Sequence, residues 1–396
     1  MTLTQPDVSV VIGAYEAMPY LVDCLASVEA QTIDPTRIEV IAVDDGSTDG
    51  TGEYLEEFAA RAAMPVTVIR QDNSGGPSGP RNVGLGKAAG RYVFFLDADD
   101  RLGPEALHRM VAMADENGTD VVLGKVEGVN RSAPKSMWGR SVGRTDVFSS
   151  QIKFTLSAQK LFRRALLERH SMRFDESLFT GEDALFTMEA YLRADGVSVV
   201  ADHTCYYLVG REDGKHVTKS GSYVLRFDSA RALMTLIADM LPPGPKRDVL
   251  MVRPFLVTLL SQFGPQYLKD TEEVRQHKFE LAKPLMELYW NEDVARRLKV
   301  HERLRLHLVA QDRADLLVGV LEFIKAKQEP TVLLEARGRK AFLAYPHFRD
   351  PAAGIPDSYY AATTRETVTI EGFRPRTAHL PRLRRAARRV LARRAA

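Results

Sequence analysis

Strand-like and helix-like segments alternate through the first 125 residues, and this alternation constrains the fold more than any other feature. VSVVIG (Val8–Gly13) is a short buried run, and helical spacing follows at Leu21, Leu25 and Val28. IEVIAVDD (Ile38–Asp45), PVTVIR (Pro65–Arg70), RYVFFLDADD and DVVLG repeat the strand signal. Helical stretches at 49–61 and 81–89, and another opened by Pro104, separate them. Strands punctuated in this way pair in parallel, with helices covering both faces. Ligands of such sheets bind at the carboxyl ends of the strands. The acids collect there: Asp44 and Asp45 end the second strand, and Asp97, Asp99 and Asp100 end the fourth.

Beyond that half the pattern changes. Residues 126–150 look irregular, 158–169 look helical, and GED (Gly181–Asp183) opens another helix. VSVVAD and CYYLV are two short strands. Residues 221–328 are mostly helical, broken at Pro242, Pro243 and Pro245, and Thr331–Pro346 alternates like a hairpin turning at Arg337–Gly338. At 396 residues, 45% of them hydrophobic, the chain exceeds one average domain. The expected division is a catalytic α/β domain at 1–220, a helical domain at 221–328, a small strand-containing extension at 329–373 and a tail at 374–396.

The net charge of +2 conceals an asymmetry. The tail from Arg374 holds nine Arg and no Lys, Asp or Glu, while the rest carries 45 basic against 52 acidic residues. On a helix Leu380, Leu383, Ala387, Val390 and Leu391 share a narrow stripe, which suits the surface of an anionic membrane. A solvated tail fits nearly as well, and nucleic acid is disfavoured because no aromatic side chain follows Phe373. Cys24 and Cys205 have neither disulfide-framework nor zinc spacing and read as reduced structural thiols. No apolar run of about 18 residues and no secretion signal is evident. The expected compartment is the cytoplasm, with the tail at the inner face of the membrane.

Each acidic motif has a bland reading and a chemical one. In LDADD, carboxylates two residues apart after a buried strand suit Mn²⁺ or Mg²⁺ together with phosphate oxygens, yet they also suit a solvated helix-capping turn. In VDDGSTDG, Asp45 is placed to accept hydrogen bonds from a base or ribose, while Ser47, Thr48 and Asp49 suit helix caps. GGPSGPRN could cradle a diphosphate but lacks the spacing of a known phosphate loop. In GED the acids either complement a helix dipole or supply a general base. In GREDGKHVTKS, Arg211 and His216 either close over phosphates or an anionic acceptor, or lie in a plain loop.

Taken together, VSVVIGAYEAMPYL, IEVIAVDDGSTDGT, GPRNVGLGKAAGRYVFFLDADD and FDESLFTGEDALF resemble the family-two glycosyltransferases in order and spacing, over about Val8–Val209. Within that family the chain is most similar to bacterial enzymes that glycosylate wall teichoic acids and related surface polymers. The resemblance implies a GT-A type, mostly parallel sheet flanked by helices, followed by the helical region and the small C-terminal extension. It implies an inverting hexosyl- or N-acetylhexosaminyltransferase that takes a UDP-sugar and glycosylates a hydroxyl of a surface polymer or glycan precursor.

Carried over by position, Tyr15 would stack on the base and Asp45 would bind base or ribose. Asn73, Arg81 and Asp97 would contact the nucleotide. Asp97 and Asp99 would hold Mn²⁺ or Mg²⁺, with Asp99 the more direct ligand. Asp183 would be the catalytic base, with Glu182 beside it. Glu16 departs from the family, which usually has Asn there, and the QxxRW signature of processive synthases is absent. The implied partners are a nucleotide-sugar donor, a polymeric and anionic acceptor, and a second copy of the chain. The competing expectation is a non-catalytic nucleotide-sugar binder or a membrane-tethered scaffold of the same fold.

Overall fold

The computed structural model describes residues 5–135, 137–211, 222–336 and 338–374. The chain divides into two compact units, Met1–Met240 and Leu241–Ala396. The basic tail beyond Arg374, and with it the membrane expectation, lies outside the described residues, as does His216.

The first unit is built on a nine-stranded sheet. Strands β1 (Val8–Ala14), β2 (Ile38–Asp44), β3 (Val66–Arg70) and β4 (Tyr92–Asp97) are parallel, in the order β3-β2-β1-β4. Helices α1 (Tyr20–Glu29), α2 (Thr51–Arg61) and α3 (Ser78–Leu85) connect them. The register pairs Ala14 with Asp44 and Gly13 with Asp97, so the carboxyl ends of β1, β2 and β4 finish in one row. Val8, Val10 and Ile12 join the main core with Leu21, Leu25, Phe58 and Phe94, whereas Val11 faces α3.

That second contact needs glycine. A Cβ at Gly84 would collide with Val11 Cγ1, and one at Gly13 would stand 3.1 Å from the Pro80 ring. Helix α3 thus presses onto β1, which brings Arg81 over the strand ends. Gly84→Ala should destabilise the protein by about 1–3 kcal/mol, as overpacking of a filled core does. A urea midpoint equal to that of the parent would show that the contact yields freely.

The remaining strands are mixed in direction. After β5 (Arg101–Leu102) and α4 (Ala106–Asn117) come β6 (Val121–Val129), β7 (Val142–Thr145), β8 (Leu161–Arg163), α5 (Arg164–Arg169), α6 (Glu182–Arg193) and β9 (Val197–Val209). The sheet continues from β4 as β8-β6-β9-β5, with β7 on β9. The helix expected at 158–169 is instead strand β8 followed by the shorter α5. Leu161 and Phe162 sit antiparallel between β4 and β6, and backbone pairing on both sides overrides the helical look of LFRRALL. VSVVAD and CYYLV form one strand rather than two. Its register against β6 shifts near Asp202–Thr204, so an irregularity absorbs the polar residues.

A helix at Tyr223–Met240 completes this unit. The second unit contains helices Pro245–Arg253, Glu272–Tyr289, Val300–Ala310 and Ala314–Lys325, and a hairpin pairing Thr331–Glu335 with Lys340–Ala344. No helix among the described residues is long and apolar enough to cross a membrane.

Candidate active site

The loops that follow β1, β2 and β3 lock together through side chains. Asp45 is buried and accepts from Gln71 Nε2 at 2.6 Å, Ser74 Oγ at 2.9 Å and the Ser74 amide at 3.1 Å. Its carboxylate therefore ties down the loop that carries Asn73, whose Oδ1 accepts from the Gly75 amide at 2.8 Å. Gly46, at φ 79°, lets this loop close: a Cβ there would stand 2.8 Å from the Asn73 nitrogen. Tyr15 stands at the rim, 54% exposed. Glu16 adopts φ 46°, a left-handed backbone that Asn tolerates better. Its carboxylate accepts from the Thr48 amide at 2.8 Å and hydroxyl at 3.0 Å. The departure from Asn is thus absorbed by a hydrogen-bond pair that braces the β2–α2 loop.

Arg81 is the hub. Its guanidinium donates to Asp97 Oδ1 at 2.7 Å, Asp183 Oδ1 at 2.7 Å and Glu182 Oε1 at 3.3 Å, and it lies over the Phe174 ring. One buried cation therefore links the end of β4 to the start of α6. Helix α6 can begin there because its N-cap, Gly181, takes φ 91°. A Cβ on Gly181 would approach Ser229 Cβ to 2.7 Å. Of the two acids on α6, Asp183 has a 25% exposed side chain and Glu182 only 9%, so Asp183 is the more accessible of the two.

The three acids of LDADD have separate environments. Both oxygens of Asp97 are engaged, one by Arg81 and the other by Gln159 Nε2 at 2.5 Å. Asp100 is buried and accepts from the Tyr206 hydroxyl at 2.8 Å and the Val209 amide at 2.7 Å, so it anchors the end of β9. Asp99 makes no side-chain hydrogen bond to another described residue. Burial, reinforced by Asp97, pushes the Asp99 carboxyl up to about 6. Burial and the two neighbouring aspartates push Asp100 up to about 8. Burial and Asp183 push Glu182 up to about 7. Asp183 is raised as well, by burial, against the opposing pull of Arg81. Burial is the largest cause for each of these acids, and at Asp183 the pull of Arg81 exceeds the repulsion from Asp97. A divalent cation would relieve this cost of burying charge, and Asp99 is the one of these carboxylates with no side-chain hydrogen bond to another described residue.

Every candidate site residue within the described range lines one cavity of about 1090 Å³, from Tyr15 and Asn73 to Asp183 and Arg211. Arg211 donates to the Glu16 carbonyl at 3.0 Å and lies over the Tyr20 ring. The same cavity holds residues that sequence reasoning did not single out: Gln159, Lys160, Arg131 and Trp138. No motif marks them. Gln159 and Lys160 sit in a stretch that reads as helix, and Arg131 and Trp138 sit in one that reads as irregular.

Comparison with known proteins finds two matching families. The model of "Glycosyl transferase family 2" matches residues 9–175, and that of the "Glycosyl transferase TarS linker domain" matches residues 225–321. A poly(ribitol-phosphate) beta-glucosyltransferase of Bacillus spizizenii is 41% identical over 212 residues, which is 53% of this chain and 33% of that one. The poly(ribitol-phosphate) beta-N-acetylglucosaminyltransferase TarP of Staphylococcus aureus is 33% identical over 54% of this chain and 67% of its own. The match to the first curated relatives spans only 33–40% of their length. Among solved structures, S. aureus TarS 1–349 in complex with UDP-GlcNAc superposes with TM-score 0.76 at 29% identity, covering 86% of this chain and 97% of that one.

Proposed function

The chain belongs to glycosyl transferase family 2, and on that premise we propose that it transfers a sugar, with inversion, from a UDP-sugar to a hydroxyl of a poly(ribitol phosphate)-type polymer. The observation that carries this reading is the single guanidinium spanning Asp97 and Asp183 inside one cavity. It sets a donor-side carboxylate and a prospective base at a fixed separation, as in-line displacement requires. The acceptor class rests on the poly(ribitol-phosphate) transferases to which the chain is similar.

In this mechanism Tyr15 packs on the base, and Asp45 with the Asn73 loop orients the base and ribose. Arg81 holds Asp97 and Asp183 in register. Asp183 accepts the proton of the acceptor hydroxyl as that oxygen bonds to the anomeric carbon. The bond from that carbon to the diphosphate breaks on the opposite face, through an oxocarbenium-like transition state. The raised affinity of Asp183 for a proton makes it a stronger base than an ordinary aspartate. Asp99, seconded by Asp97, would hold Mn²⁺ or Mg²⁺, whose charge would offset that of the departing diphosphate. Among the described residues no three His, Cys, Asp or Glu side chains gather into a metal cage, so phosphate and water would complete the ion's shell.

The test is transfer of labelled sugar from UDP-glucose and UDP-GlcNAc to poly(ribitol phosphate), with Mn²⁺, Mg²⁺ or EDTA. Label in the polymer with a β-anomeric linkage is the expected product. A protein that binds UDP-sugars yet neither hydrolyses nor transfers them would be a nucleotide-sugar binder instead.

A further inference from the structure

The cavity extends well past the residues that hold the donor. Those residues come from the ends of β1 and β2, from the loop after β3 and from α3, all on one side of β4 in the sheet order. On the far side, Arg131 and Trp138 enter the same cavity from the β6–β7 connection. Inversion at the anomeric carbon brings the acceptor in opposite the leaving diphosphate. With the diphosphate over β1 to β4, the acceptor approaches across β4, from the β6 side.

Arg131 is held there by its backbone. Strands β6 and β9 pair in parallel through Val129 and Val209, and the Gly210 amide donates to the Val129 carbonyl at 2.8 Å. A Cβ at Gly128 would strike the Arg131 carbonyl, and one at Gly210 would stand 2.5 Å from the Asn130 carbonyl. Asn130 itself takes φ 56°. Two glycines therefore seat a tight reversal just beyond the strand pair. The Arg131 side chain is exposed and forms no close ion pair or hydrogen bond with another described residue, while its charge lies near enough to Asp99 to oppose the upward shift of that carboxyl. Trp138 is half-buried, and its Nε1 donates to the Pro134 carbonyl at 2.6 Å, which fixes the indole against the loop. Pro134, Leu123 and Val126 add apolar wall beside it.

We propose that Arg131 and Trp138 form the acceptor subsite of this cavity, the guanidinium binding a phosphodiester of the acceptor and the indole packing on the polyol carbon chain beside it. The assignment rests on the transfer reaction proposed above. A guanidinium that spends no hydrogen bond on a described residue is suited to phosphate oxygens, which it meets with paired, charge-assisted hydrogen bonds. An indole face offers apolar area to C–H groups without demanding charge.

Donor hydrolysis and polymer transfer by Arg131→Gln and Trp138→Ala in the full chain separate the possibilities. Arg131→Gln should raise the KM for poly(ribitol phosphate) about tenfold and flatten its salt dependence, because the contact is one of charge. The KM for free ribitol, which lacks phosphate, and the rate of UDP-sugar hydrolysis should stay at the parent values. Trp138→Ala should raise the KM for both acceptors by a similar factor. An unchanged polymer KM in Arg131→Gln overturns the inference. An equal loss in UDP-sugar hydrolysis also overturns it, and assigns Arg131 to the donor diphosphate. Polymer binding by affinity electrophoresis in the presence of UDP keeps the two readings apart. If the parent protein binds the polymer through Arg131 without glycosylating it, the subsite stands and the proposed reaction falls. If binding is absent, or is the same in Arg131→Gln, the subsite falls.

Discussion

Replacing Asp183 by Asn should lower sugar transfer by at least about 10²-fold while UDP-sugar still protects the fold against heat. The amide keeps the size of the carboxylate and can still accept from Arg81, so the hub that joins β4 to α6 should persist. What disappears is the capacity to take a proton from the acceptor hydroxyl. In the parent protein, burial raises the proton affinity of Asp183. The acid limb of kcat/KM should accordingly lie above the ordinary aspartate range, activity falling as pH drops and Asp183 becomes protonated. Initial rates with labelled donor across a pH series measure both effects. Near-normal turnover by the Asn variant would move the base to Glu182, which stands beside it and is pushed up to about 7.

Asp99→Asn should have two effects of opposite sign. In the parent, UDP and Mn²⁺ together should raise Tm by more than the sum of their separate shifts, because phosphate oxygens complete the shell that Asp99 begins. The variant should lose that synergy along with turnover. In EDTA, however, it should be more stable than the parent. Burial and Asp97 hold the Asp99 carboxyl up at about 6 in the folded state, so the native protein binds more protons than the unfolded chain between roughly pH 4 and pH 6. Stability contributed by this group is therefore lost as pH rises through that window, and near pH 7.5 its charge is a net cost. Removing the charge should recover on the order of 1 kcal/mol after allowance for partial exposure, or about 2 °C in Tm. The gain should vanish below about pH 4, where Asp99 is protonated in both states. Equal melting in EDTA, with the UDP–Mn²⁺ synergy retained, would place the ion elsewhere.

These expectations draw on features of unequal visibility in the sequence. The acids at the strand ends were legible because they follow buried apolar runs directly, and a strand that enters a parallel sheet delivers its last residue to one known edge. The hairpin near Gly338 was legible because period-two alternation flanks a turn residue. Strand β8 was not. It is only Leu161–Arg163, too short to display a period, and it is held by partners on β4 and β6 that are distant in sequence. The single long β9 was hidden for a related reason, since Asp202–Thr204 breaks the apolar pattern that an irregularity in pairing then bridges.

Within the site, local sequence placed Asp97, Asp99, Glu182 and Asp183 at the ends of regular elements but left a helix-capping reading open for each motif, and the resemblance to family-two glycosyltransferases was what nominated them. It could not say which of them is engaged. Arg81 reaches Asp97 across 16 residues and Asp183 across 102, a union that exists only once Gly84 lets α3 settle on Val11. Gln159 likewise meets Asp97 across 62 residues. The proton affinities of these acids follow from that packing, because they depend on burial and on neighbouring charges whose separations are set by the sheet rather than by the chain. Local backbone preference and strand-end position were thus written in the sequence. Which carboxylate is paired with Arg81, which is left without a side-chain hydrogen bond among the described residues and which is the more exposed depended on contacts between segments far apart in the chain.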